Sequence, residues 1–327
     1  MRTTVLIPFL LLSPLFAMAQ DSQVEDVKAK WETLSKSKAN DYVAKTLSEA
    51  SLDKPLVKWL LQQDADRIED LADDGVDDYP KSAQLWYLRG RIHAIQAQNS
   101  VFSALSHAKD SLASFETAAT LQPSEMVYQN GLLGFYQGAP SIAGGDTQKA
   151  ISVAKKMIEI NPREGYYALI SLGYNKALPD TEMWLNQAKS ALGDMPEFPY
   201  IEGINFQQAE QYDEARQAFE NAVASQQNDE ESEKFKMLAL YQIGRNAVLE
   251  GQYSEASQQA LERYISASPE HEDMPELSWA RLRLAQIHAF NKNKAEAEIL
   301  LASIDSNEDE RLQDEIKTMK KRLKKMK

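Results

Sequence analysis

The residue types that do chemistry are thinly spread along this 327-residue chain. It has no cysteine, which rules out thiolate nucleophiles, thiolate metal sites and disulfides. The four histidines, His93, His107, His271 and His288, fall in no H-E-x-x-H helix, and no G-x-S-x-G elbow is present. General acid–base work needs groups that converge within hydrogen-bond reach. Asp and Glu are abundant, but abundance alone pairs nothing. The expectation is a protein that is not an enzyme and carries no cofactor and no metal.

Two stretches concentrate unusual residues. Asp64 to Asp78 holds eight acidic residues and one Arg. A calcium loop starting at Asp70 would need an oxygen ligand at Ala72 and a Glu at Lys81, and both fail. The tract is therefore expected to be a solvated acidic helix face. The second stretch is Gly138-Ala139-Pro140-Ser141-Ile142-Ala143-Gly144-Gly145-Asp146. It lacks the Gly-Lys-Ser/Thr of a phosphate loop. Turn chemistry accounts for it as a wide loop with positive φ at Gly144 and Gly145 and an N-cap at Asp146. The alternative is a lip that contacts a ligand through Pro140, Gly144, Gly145 and Asp146.

The elements that must position these residues are helices. Ala, Leu, Gln, Glu and Lys dominate, and no alternating Val/Ile/Thr run signals a strand. Met1-Arg2, an apolar run from Val5 to Ala19 and Ala17-Met18-Ala19 predict a cleavable signal peptide over residues 1–19. The mature chain is thus expected in the periplasm or secreted, without a lipoprotein cysteine. The formal charge of −13, which becomes −14 once Arg2 is removed, argues against a nucleic-acid partner. At the other end, Leu312, Ile316, Met319, Leu323 and Met326 form one apolar stripe beside Lys317, Lys320, Lys321, Arg322, Lys324, Lys325 and Lys327. Ser306 and Asp309 are the expected cap of that helix, over residues 307–327. It either covers the end of a helical stack or lies on an anionic membrane surface.

Residues 203–222 set the pattern of the rest. Gly203, Phe206, Tyr212, Ala215, Phe219 and Ala222 alternate small and aromatic residues along an apolar seam, with a joint at Glu210-Gln211. This resembles the tetratricopeptide repeat, a helix–turn–helix unit that stacks into a solenoid. Trp86, Gly90, Phe115 and Ala118 fit the same spacing, as do Ala150, Ala154 and Met157, then Gly244, Ala256 and Ala260, then Ala285, Ala297 and Leu301. The resemblance implies an all-α, right-handed superhelix of helical hairpins. Residues 20–82 would form an N-terminal helical cap with a degenerate repeat, and residues 83–306 the array.

The same resemblance implies a concave surface lined by the first helix of each pair. It would carry Tyr87 and Arg91, then Tyr200, then Tyr241 and Arg245, then Trp279 and Phe290. Tyr, Trp and Arg concentrate energy at interfaces, so a protein or peptide partner is expected there. The competing reading is that these rings pack between repeats. His93 and His288 fall at positions that pack inside a repeat. Ala139-Pro140 with Gly144-Gly145-Asp146 also resembles the T-component proteins of TRAP transporter systems. That likeness implies a small-ligand-binding accessory of a transport system.

Overall fold

The computed structural model describes residues 14–49, 54–269, 273–305 and 309–326. The described residues form seventeen α-helices and no strand. None of these helices is long and apolar enough to cross a membrane. Most of the expected signal peptide, residues 1–13, lies outside the described residues, as do Ser306, Asn307 and His271. The chain divides into two compact units, 1–165 and 166–327.

The first unit opens with α1 (Pro14–Thr33), α2 (Lys36–Glu49), α3 (Lys54–Leu60) and α4 (Ala65–Asp78). Leu56, Leu60, Ile68 and Leu71 are fully buried, and Trp31 meets the Trp59 ring edge-on at 5.9 Å. The Arg67 guanidinium stacks 3.4 Å above Trp31, so the cation completes an otherwise apolar contact. Next come α5 (Ala83–Asn99) and α6 (Ala104–Leu121). Ser82 caps α5 by accepting from the Leu85 amide. The two helices are long, and only a four-residue connection, 100–103, joins them. Then follow α7 (Met126–Gly138), a 3-10 turn at Ser141–Ala143 and α8 (Thr147–Ile160).

One device recurs in both units: a glycine on the first helix of a pair lies under a large apolar side chain from the second. A Cβ on Gly90 would stand 2.8 Å from the Phe115 ring, on Gly203 2.5 Å from Phe219, and on Gly244 2.2 Å from Leu261. Any larger residue would push the hairpin open.

The boundary between the units falls inside α9 (Pro162–Asn175). The second unit continues with α10 (Thr181–Leu192), α11 (Glu197–Gln208), α12 (Tyr212–Ala224) and α13 (Glu230–Glu250). It ends with α14 (Glu255–Ala267), α15 (Leu277–Phe290), α16 (Lys294–Ala302) and α17 (Glu310–Lys325). Ala215, Phe219, Ala239, Leu261 and Tyr264 sit in one core of this unit. Asp180 stands at the N-cap of α10, but its side chain makes no capping hydrogen bond. Asp309 does cap α17, accepting from the Leu312 amide at 2.9 Å. The apolar stripe Leu312, Ile316, Met319 and Leu323 is buried against Leu282, Ala285, Ala297 and Leu301 of α15 and α16.

Candidate functional site

In the first unit α5, α6, α7 and the 3-10 turn enclose a cleft of about 850 Å³, within the usual range for ligand sites, about 300–1,000 Å³. Tyr87, Arg91, Ala94 and Gln98 line it from α5 at spacings of four, three and four, one helical face. Gly131, Gly134, Phe135 and Gly138 line it from α7 at three, one and three. A Cβ on Gly131 would press on Tyr87 at 2.9 Å, whereas Gly134 and Gly138 face open space. The cleft floor therefore consists of bare backbone. Two of its lining residues are apolar and exposed, Ile142 at 81% and Leu105 at 40%, and the neighbouring chain at Val101 and Phe102 is exposed as well. Val101 and Phe102 lie in the connection between lining residues Gln98 and Ala104. Stretches this apolar and this exposed mark binding surfaces more often than solvated ones.

Arg91 is the cation of the lining, and its Nη1 donates to the Tyr87 hydroxyl at 3.0 Å. Tyr87 is itself wedged between Phe115 and Tyr128, with ring centroids 5.9 and 5.5 Å away. Burial pushes the Tyr128 hydroxyl up to about 12. The Tyr87–Arg91 pair and the Pro140 loop were separate candidates in the sequence, and the fold brings them to one cleft.

Within that loop the candidates divide. Pro140 lines the cleft, and its carbonyl accepts from the Ala143 and Gly145 amides at 2.8 and 3.1 Å. Asp146 caps α8, accepting from the Gln148 and Lys149 amides at 2.8 and 3.1 Å. Gly144 has the expected left-handed backbone, φ +103°. Gly145 does not, which corrects the expectation of positive φ at both glycines. Glycine is required there for a different reason: a Cβ would stand 1.8 Å from the Ala139 carbonyl oxygen.

The candidates in the second unit each pack against other residues of that unit. Tyr200 lies against Phe219 and Phe235, with centroids 5.9 and 5.4 Å away, and burial pushes its hydroxyl up to about 12. Tyr241 is buried against Tyr264 at 5.6 Å. Arg245 donates to the Gln207 side-chain oxygen Oε1, and Gln207 Nε2 in turn donates to Asn246 Oδ1 at 3.2 Å. Trp279 donates to Asp309 Oδ2 at 3.0 Å and stacks with Arg283 and Arg311. Phe290 stays half exposed beside Tyr253, 4.1 Å between centroids.

Most of the acidic tract is solvated as expected, with Asp64, Asp66, Asp70, Asp74, Asp77 and Asp78 exposed and Glu69 and Asp73 half-buried. Asp66, Glu69 and Asp73 recur at three and four on α4 and meet Gln96, His93 and Arg89 of α5, which recur at three and four in the opposite direction. Gln96 Nε2 donates to Asp66 Oδ1 at 3.0 Å and to Glu69 Oε2 at 2.9 Å. Arg89 Nε donates to Asp73 Oδ1 at 2.6 Å. Burial works against the charged Asp73, but the bonds and charges of His93 and Arg89 outweigh it and hold the carboxyl below its usual range. His93 is buried as expected inside the repeat, yet among polar partners: His107 at 3.1 Å, Nδ1 to Nδ1, and Asp73. The helix periodicities on α4 and α5 carried this signal. The contribution of His107 from α6 could not be read without the hairpin's register.

No protein-family model matches the chain, and no curated protein does. Among solved structures it is similar to yeast Tom70, with a TM-score of 0.59, 16% identity and coverage of 95% of this chain and 60% of that one. It is also similar to a tetratricopeptide repeat protein from Parabacteroides merdae (TM-score 0.45, 14% identity, 92% and 99% covered). A third is the APC/C hetero-tetramer Cut9–Hcn1 (TM-score 0.43, 16% identity, 86% and 51% covered). The chain thus spans 51% and 60% of the lengths of two of these. The fold is all-α and tetratricopeptide-repeat-like.

Proposed function

We propose that this chain is a non-catalytic scaffold of the bacterial cell envelope that holds an extended segment of a protein partner in the cleft between α5 and α7. One observation carries the reading: an apolar recess with exposed apolar lips at Leu105 and Ile142 and a cation, Arg91, fixed in its wall. Apolar anchors of a peptide would fill the recess, and a peptide carboxylate would meet Arg91. Selecting from a displayed random-peptide library with residues 20–327 tests it. The expected consensus has bulky apolar residues beside an acid, and Arg91→Glu should shift the preference to basic residues. Equal enrichment by wild type and by a folded Leu105→Glu/Ile142→Glu variant would sink the proposal.

A second reading, a small-ligand accessory of a transport system, is favoured by the volume of the recess and its bare glycine floor. Native mass spectrometry of the purified protein separates the two, since a retained apolar molecule of small mass supports the second alone. Export is part of the first proposal. N-terminal sequencing of the envelope fraction should begin at Gln20, and a retained Met1 would remove that part.

A further inference from the structure

We propose that Glu69, His93 and His107 bind one Zn2+ ion, through Glu69 Oε1 and the Nδ1 atoms of both histidines. The three donors come from three helices, α4, α5 and α6, and are the group of this kind found among the described residues. The two Nδ1 atoms are 3.1 Å apart, and Oε1 lies 3.7 Å from that of His93 and 3.6 Å from that of His107. The points equidistant from atoms so separated begin about 2.0 Å from each, in the plane of the three, and lie about 2.1–2.2 Å away a little above it, the lengths of zinc–imidazole and zinc–carboxylate bonds in a four-coordinate site. Two imidazoles and a carboxylate suit zinc, whereas calcium and magnesium prefer all-oxygen shells.

The surroundings prepare these atoms for a cation. His93 Nε2 lies 3.1 Å from Asp73 Oδ1. An ionised carboxylate only accepts, so Nε2 carries a proton toward Asp73, and Nδ1, beside His107 and Glu69, is the nitrogen left to meet a metal. A histidine held by a carboxylate behind and a metal in front is a recurrent arrangement of zinc ligands. Asp73 is fixed in turn by Arg89 at 2.6 Å, and Gln96 holds Glu69 by Oε2, leaving Oε1 for the metal. The His93 side chain is 3% exposed, His107 19% and Glu69 23%. Water therefore reaches the side of the site away from His93 and would complete a tetrahedral set. The ion would tie α4 of the N-terminal cap to the α5–α6 hairpin.

Titrating metal-stripped residues 20–327 with Zn2+ alone, followed by calorimetry and melting temperature, tests the assignment. One equivalent should bind, the melting temperature should rise, and Co2+ in its place should give the visible absorption of a four-coordinate site. Asp73→Asn should weaken Zn2+ binding about 10–100-fold. His107→Ala should weaken it further and abolish the Co2+ band. If circular dichroism shows that His107→Ala has lost its helices, Glu69→Gln, which keeps the shape of the side chain, is read instead. Failure of wild type to take up one equivalent, or undiminished uptake by the folded variant, overturns the proposal.

Discussion

At the scale of single residues, glycines separate what the fold requires from what the cleft requires. Gly145→Ala drives a Cβ into the Ala139 carbonyl, so the loop must move, at a cost of about 1–3 kcal/mol or more. The melting temperature should fall accordingly, and an unchanged value would refute the loop geometry. Gly134→Ala meets nothing within 4 Å and sits inside a helix, so it should stabilise by about 0.5–1 kcal/mol. Its effect on binding is expected to be the opposite, because the methyl enters the recess. Denaturant unfolding of both variants, side by side, reads this. Gly203, Phe219 and Ala215 were legible as packing residues because their spacing is local, and they are buried or closely approached as expected. The function of Gly145 was misread because a carbonyl six residues away, across the loop, cannot be placed from composition.

At the scale of elements, α17 is a cover for α15 and α16. Deleting residues 307–327 exposes Leu282, Ala285 and Leu301 and should lower stability by several kcal/mol, at about 1.5–3 for each large apolar side chain lost from the contact. A deletion variant with wild-type stability would mean the stripe is free to dock elsewhere, an anionic vesicle being the first candidate. The aromatic seams predict an alkaline limit. Burial raises Tyr128 and Tyr200 to about 12, so their protons are held more tightly in the folded chain. That contribution is complete below the unfolded tyrosine value, near 10, and is lost as pH rises through about 12. Absorbance at alkaline pH should show these hydroxyls ionising together with unfolding rather than before it. Tyr200 and Tyr241 were legible as aromatic first-helix residues. Whether they faced a groove or a neighbour was not, since one helical face serves both in a stacked hairpin. Their rings lie against Phe219, Phe235 and Tyr264, which only register decides.

At the scale of the molecule, two units each carry their own buried core, and repeat arrays store stability in neighbouring interfaces. Residues 162–327, which keep α9 whole, should therefore fold and melt cooperatively alone. A fragment that shows helix without a cooperative transition would contradict the division. The cleft was half legible: the loop and the Tyr87–Arg91 pair stood out in sequence, but they are some fifty residues apart and their meeting depends on how α7 packs against the α5–α6 hairpin. The bare floor at Gly134 and Gly138 has a consequence for descent. The calibre of the recess is set by two codons on a helix whose backbone need not shift when they change. A lineage exchanging either glycine for alanine or valine narrows what it admits while inheriting the same architecture, so appetite and scaffold are free to diverge separately.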